Sequence, residues 1–361
     1  MPKVINFNAG PAILPREVLQ QAQSELLDFN GTGMSVLEIS HRSKDFEAVI
    51  QEAEALAKRL YGVPEGYRVL FLQGGASLQF SMVPMNLLPP DGCADYILTG
   101  SWSQKAYDEA VKAGTAHVAA STKDDNFSRI PKMDEIRLCD KPAYVHITSN
   151  NTIYGTQWNP LPTFGDVPIV GDFSSDVFSR PVDIRPYALI YAGLQKNAGP
   201  AGATLVIIRE DVLEAAPKSL PTMLRYAIHA KNNSLYNTPP VFSIYVSLLV
   251  MRRLETLGGL SAVAKANKAK AAVIYDVIDE SEGFYKGHAE KDSRSLMNIT
   301  FRLPDEELEK RFLTEAKEHG FVGLPGHRSV GGVRASVYNA MPIEGCTALA
   351  DFMRAFRASV A

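Results

Sequence analysis

Cysteine is scarce in this chain: Cys93, Cys139 and Cys346 are three among 361 residues, widely spaced and odd in number. Such a set does not suggest a disulfide framework. Without a CxxC pair or Cys/His spacing it suggests no metal site either. The usage suits a reducing compartment, and a cytoplasmic location is expected. Long hydrophobic runs are missing as well. The most apolar stretch, 241–251, contains Ser243 and Ser247 and ends at Arg252 and Arg253, too short to cross a bilayer. Gly10, Pro11 and Pro15 interrupt the N-terminal segment where a signal peptide needs an apolar core. Nor is one sign of charge in excess. The 37 Lys and Arg against 40 Asp and Glu leave a formal −3, which gives no electrostatic case for a nucleic-acid or membrane partner. What remains is 46% hydrophobic residues, an ordinary globular composition long enough for one large domain and a smaller one.

Apolar residues at 46, 49, 50, 53, 56, 57 and 60 recur at helical spacing, so a helix is expected over 44–61, stopped by Gly62 and Pro64. Short Val/Ile/Leu/Tyr-rich runs follow at 68–72, 95–99, 143–148, 168–172, 188–193 and 203–209. They are continuous rather than alternating, as strands covered on both faces read. Helical stretches at 78–88 and 104–113 separate some of them, so the fold class expected is α/β, a large domain with a mostly parallel sheet sandwiched by helices. The last third reads as long helices at 244–257 and 261–279. A small α+β unit follows, with strands at 298–303 and near 332–337 and helices at 305–318 and around 349–356. The expected division is 16–260 for the large domain, with 1–15 and 261–361 forming the small one. Ligands of such sheets sit at the carboxyl ends of the strands.

Lys196 follows a buried strand among small and apolar residues, where burial lowers an amine's pKa and a Schiff-base lysine becomes possible. A lysine snorkelling from a strand end would read the same way. Asp172 ends another buried strand. If the two strands are neighbours, amine and carboxylate share one crevice, although an Asp capping a turn is common. Gln73-Gly74-Gly75-Ala76-Ser77 stands between a strand and a helix, as a phosphate cradle or simply a tight turn. It matches neither GxGxxG nor a Walker loop. Trp102 lies just past a strand end and can stack on a flat ring; Thr152 can bond a ring hydroxyl. His41, Arg42, His327, Arg328 and Arg334 suit an acidic substrate, though any one alone reads as a surface residue.

Together with Asn6-Phe7-Asn8-Ala9-Gly10-Pro11 and Tyr236-Asn237-Thr238-Pro239-Pro240, these motifs resemble the phosphoserine aminotransferase family along essentially the whole chain. These are pyridoxal-phosphate enzymes of the fold-type I, class V aminotransferase group. The resemblance implies pyridoxal 5'-phosphate bound covalently to Lys196, with Asp172 pairing with its ring nitrogen. Trp102 would stack on the ring and Thr152 bond its phenolic oxygen. The phosphate would be held by Ala76, Ser77 and Gln195, with Asn237 and Thr238 coming from a second subunit of a homodimer whose active sites are shared. Arg334 would take the substrate α-carboxylate, and His41, Arg42, His327 and Arg328 its distal phosphate or carboxylate. The implied reaction converts 3-phosphohydroxypyruvate and L-glutamate to O-phospho-L-serine and 2-oxoglutarate in serine biosynthesis. The 4-phosphohydroxy-L-threonine reaction of vitamin B6 synthesis is left open. Some members carry an arginine where this chain has Ser77, which leaves open how the four tail-binding residues divide their work. A cysteine desulfurase is disfavoured by the placement of the three cysteines, and a nicotinamide enzyme by the missing fingerprint. Another aminotransferase and a catalytically silent binding protein are the remaining alternatives.

Overall fold

The computed structural model describes residues 4–360. Seven strands form the central sheet in the spatial order Tyr67–Leu72, Thr204–Arg209, Tyr187–Gly193, Ile169–Asp172, Val145–Thr148, Cys93–Leu98 and Thr115–Ser121. Thr204–Arg209 runs antiparallel to both neighbours and the other pairings are parallel. The mostly parallel sheet expected from the apolar runs is therefore present. Every residue of Val145–Thr148, Ile169–Asp172 and Tyr187–Gly193 is buried, because helices cover both faces.

Alternation along each strand divides its side chains between two cores. Val69, Phe71, Ile169, Ile190 and Ala192 pack into one, with the helices Lys44–Tyr61 and Val241–Thr256. Leu70, Leu72, Val170, Leu189 and Tyr191 pack into the other, under Gly75–Leu87 and Ser101–Ala113. The helix expected over 44–61 has those bounds. Ser43 caps it by accepting from the Phe46 amide, and Gly62 at φ 58° ends it in the left-handed conformation that glycine adopts without strain.

A third core joins Phe7, Ile274, Ile299, Phe312, Val333 and Met353. It lies between the antiparallel sheet Lys286–Gly287, Asn298–Arg302, Val333–Ser336 and the helices Glu306–Glu318 and Ile343–Val360. Ile5–Asn6 pairs with Phe321–Val322, which returns the N-terminal segment to this unit. The helix Gly259–Asp279 serves both regions, with Leu260 and Val263 in the first core and Ala271 to Ile278 in the third.

Several elements are absent from the sequence reading, Thr115–Ser121 and Arg16–Ser24 being the longest of them. Thr115–Ser121 is the edge strand of the sheet and only partly buried; its Thr, Ala and His residues make no apolar run. Arg16–Ser24 buries Val18 and Ala22 alone, too narrow a stripe to stand out. The helix expected from Leu78 starts at Gly75 instead, inside the glycine motif.

Candidate active site

Parallel pairing sets Thr148 beside Asp172 and Asp172 beside Tyr191. The carboxyl ends of three strands therefore open together. Past Gly193 the chain turns and brings Lys196 to the cavity that Asp172 lines, so the condition set by the sequence, that the two strands be neighbours, is met. The cavity measures about 270 Å³. Trp102, in the first turn of Ser101–Ala113, and Thr152 form further walls.

Lys196 Nζ donates to Thr152 Oγ1 at 2.8 Å and lies 5.2 Å from the Trp102 ring centroid. Burial pushes the amine down to about 8; the Asp172 carboxylate opposes that shift and the Arg334 charge adds to it. Asp172 Oδ1 accepts from the Ser174 amide at 2.9 Å and the Ser174 hydroxyl at 2.6 Å. Burial still holds this carboxyl above its ordinary range, against the opposing pull of Lys196 and Ser174. Desolvation thus outweighs mutual attraction for both partners, so each sits closer to neutrality than it would in water.

At the opposite wall, Gly74 has φ +86°, and a Cβ there would lie 2.5 Å from Leu78 Cδ2. Only glycine fits, and it lets the helix begin at once. Ala76 and Ser77 consequently lie in the first turn, whose backbone N–H groups have no partner within the helix. No acidic side chain occupies that turn, and the helix dipole favours an anion there. Gln195 lines the cavity. Gly10, at φ +144°, brings the backbone so close that a Cβ would stand 3.1 Å from Lys196 Cγ.

The cations are distributed unevenly. Arg334, on Val333–Ser336, lines the cavity, donates to the Thr152 carbonyl at 3.3 Å and keeps a buried Nε without a partner among the described residues. His327 also lines it, with Nδ1 2.7 Å from Ser329 Oγ. Burial, reinforced by the charges of Arg334, Arg328 and Lys105, pushes the imidazole below its usual range. Arg328 lines an adjacent groove with Arg302 and Glu309. His41, Arg42, Asn237 and Thr238 are not among the residues lining the cavity in the single chain. His41 Nε2 and Asn237 Oδ1 are buried without partners among the described residues, while Arg42 and Thr238 are exposed.

Sequence reasoning missed Ser174, which holds Asp172; an Asp with a Ser two positions on is a turn signal that could have revealed it. Asp176 was missed too. Buried behind the site, it receives the Ser149 hydroxyl and the Gln157 amide, the latter at 3.0 Å. Phe80 and Ile153 also line the cavity, and nothing in their sequence context separates them from ordinary core residues.

A buried amine near neutrality, a desolvated carboxylate, an indole and a helix N-terminus around one cavity define the chemistry of an amine-transferring enzyme of the α/β class. The comparisons with known proteins agree. The model of the aminotransferase class-V family matches residues 4–349. A phosphoserine aminotransferase of Herpetosiphon aurantiacus is 61% identical over 98% of this chain and 99% of its own. The solved phosphoserine aminotransferase of Bacillus circulans subsp. alkalophilus superposes with a TM-score of 0.97, at 55% identity and 99% coverage of both chains. That of Trichomonas vaginalis, solved with PLP bound, gives 0.93 at 37% identity, covering 97% of this chain and 99% of that one. The chain belongs to the class-V aminotransferases and, within them, to the phosphoserine aminotransferase family.

Proposed function

We propose that this protein is a pyridoxal-phosphate-dependent transaminase that carries the amino group of L-glutamate to 3-phosphohydroxypyruvate. The products are 2-oxoglutarate and O-phospho-L-serine, made in alternating half-reactions as a step of serine biosynthesis in the cytoplasm. The observation that carries this reading is Lys196 Nζ, pushed down to about 8 and placed in one cavity with Asp172, Trp102 and Thr152. The donor set fits the cofactor: an amine able to bond an aldehyde, a carboxylate for a ring nitrogen, an indole for the ring, and a helix N-terminus for a phosphate. When bound, the cofactor supplies an electron sink next to the substrate α-carbon.

Lys196 would anchor the cofactor at rest and, once displaced, take the α-proton on Nζ. A neutral amine is needed for that, and burial, by bringing the amine down to about 8, makes a larger share of it neutral near physiological pH than water would. Asp172 would keep a proton on the ring nitrogen, with Ser174 fixing its carboxylate. Trp102 would cover the ring, Thr152 Oγ1 would exchange its Lys196 contact for the phenolic oxygen, and Ala76, Ser77 and Gln195 would hold the phosphate. Arg334, whose buried Nε has no partner among the described residues, would grip the substrate α-carboxylate. His327 and Arg328 would take the distal anion.

The remaining groups fit a homodimer, with the partner subunit's Asn237 and the partner subunit's Thr238 completing the phosphate site. The partner subunit's His41 and the partner subunit's Arg42 would face the substrate tail. Two features support this. Leu19, Leu27, Met34 and Leu37 leave a run of apolar side chains exposed just before His41, Leu27 to 84%, which is what an interface looks like in an isolated subunit. The unpartnered His41 Nε2 and Asn237 Oδ1 are the polar counterpart. The division into 16–260, and 1–15 with 261–361, is supported by the separate third core; residues 1–3 and 361 lie outside the described residues.

The test is a coupled 2-oxoglutarate assay on purified protein, with 3-phosphohydroxypyruvate and its four-carbon analogue as competing acceptors. The wild type should be yellow, lose its colour with L-glutamate, and run as a dimer in light scattering. Lys196→Ala should be inactive and should not trap the cofactor on borohydride reduction. Preference for a non-phosphorylated keto acid would overturn the reading.

A further inference from the structure

His327 and Arg328 sit on the segment 325–332, whose own hydrogen bonds shape it without attaching it to the body of the protein. Its base is closed by the Pro325–Val333 bridge and by the Gly326 amide donating to the Gly332 carbonyl at 2.8 Å. Its tip is a turn in which the amides of Val330 and Gly331 both donate to the His327 carbonyl at 2.8 Å. The tip bridges open space. Cavities of about 450 and 350 Å³ lie against it, and Arg302 and Val330 line both.

Two contacts fasten the tip among the described residues. The Val330 side chain packs on the cluster of Phe127, Ile153 and Tyr154, which Trp102 also joins. The Val330 carbonyl accepts from Arg302 Nη1 at 3.1 Å. Arg302 is itself held, since its Nε donates to Glu309 Oε1, a buried carboxylate oxygen that also takes the Leu303 amide at 3.3 Å. Its aliphatic stem lies against Gly332, where a Cβ would come within 2.5 Å of Arg302 Cδ. Arg302 ends the strand whose Thr300 pairs with Arg334. One antiparallel strand pair thus carries Arg334, the cation assigned above to the α-carboxylate, and, two residues past its partner Thr300, the anchor for the segment bearing His327 and Arg328.

We propose that Arg302, clamped by Glu309, is a positioning residue that holds 325–332 closed over the cavity and so sets the affinity for the distal anion of both substrates. The inference rests on the tail-binding role given above to His327 and Arg328. An Arg302 that only stabilised the fold would depress reaction of all substrates alike; an anchor for the tail site acts on substrates that have a distal anion and spares those that do not.

The experiment uses the holoenzyme and the variants Arg302→Met, Arg302→Lys and Glu309→Gln. Removing the tether should raise KM for L-glutamate and for the phosphorylated keto acid by roughly 10-fold while kcat stays within about twofold. The half-reaction with L-alanine, which has no distal anion, should be unchanged. Arg302→Lys, whose ammonium can still reach the Val330 carbonyl, should restore part of the loss, and Glu309→Gln should reproduce it in weaker form. Inhibition by inorganic phosphate should weaken in parallel with KM. Equal losses with L-alanine and L-glutamate, or an unchanged KM in soluble Arg302→Met, would overturn the proposal. If Arg302→Met does not fold, the same criteria apply to Arg302→Lys and Glu309→Gln. If the wild type rejects the phosphorylated acceptor, the functional reading falls, and the phosphate inhibition of the L-alanine half-reaction still decides the tether.

Discussion

At the Lys196 end of the cavity, the key side chains stand at the ends of buried strands or in the first turns of helices packed on the sheet. At the tail end, the cations stand on loops. Asp172 and Lys196 have their positions set by a sheet whose central strands are wholly buried. Ala76, Ser77 and Trp102 are fixed by two helices resting on the same sheet. His327 and Arg328 depend instead on a bridging loop, while His41 and Arg42 lie outside the cavity of the single chain. The difference suits the two tasks. In the proposed reaction the bond-making end would present the same atoms in every turnover and gain from rigidity. The tail end would accept a carboxylate in one proposed half-reaction and a phosphate in the other, which adaptable cations on loops would allow.

The sharpest way to break this comparison is at Asp172. Asp172→Asn keeps the shape and the Ser174 contacts but cannot hold a protonated ring nitrogen. Its expected cost is about 10²–10³ in kcat with little change in KM, measured by single-turnover loss of cofactor colour. A loss of similar size in KM alone would mean that the residue binds rather than activates. Next comes Arg334, which shares features of both regions. Arg334→Gln removes a charged fork and should raise KM for every amino-acid donor, L-alanine included, by about 10–100-fold. Sparing of L-alanine would move Arg334 to the tail site.

A stability measurement tests the buried end without any turnover. Lys196 has an ordinary value of 10.5 and is held at about 8 in the folded chain. Between those pH values the unfolded state binds more protons, so the cofactor-free protein gains stability from this group as pH rises. At neutral pH the charged amine is a burden, and cofactor-free Lys196→Met should be more stable than wild type by about 1–3 kcal/mol in urea melts. That advantage should fade through the window and be gone above 10.5. The smallest effect concerns His327. Its imidazole is pushed below the usual range by burial and by neighbouring cations, so protonation is disfavoured there, and an anion in the proposed tail site would favour it. Lowering pH from about 7.5 to about 6 should lower KM for the anionic substrates by a few-fold in wild type, and less in His327→Asn.

Much of this is legible in the sequence. Continuous apolar runs marked the buried strands, and a lysine and an aspartate at two run ends marked the crevice. The edge strand Thr115–Ser121 was not legible, because half-covered positions tolerate Thr, Ala and His. The helix start at Gly75 was hidden for another reason. Glycine reads as a turn wherever it stands, and only the close approach of Leu78 to Gly74 shows that the turn is already the first turn of the helix. Ser174 needed the strand pairing before its bond to Asp172 had meaning.

By itself the sequence determined which residue types were available for chemistry and which segments had to be buried, since hydrophobic periodicity and glycine placement are local properties. Tertiary structure alone decided that Asp172 and Lys196 share one desolvated space, that burial there disfavours the charged form of each, and that Arg302 reaches the loop bearing His327. Those are relations between segments far apart in the chain, and their strength depends on distance and burial, which no local pattern encodes.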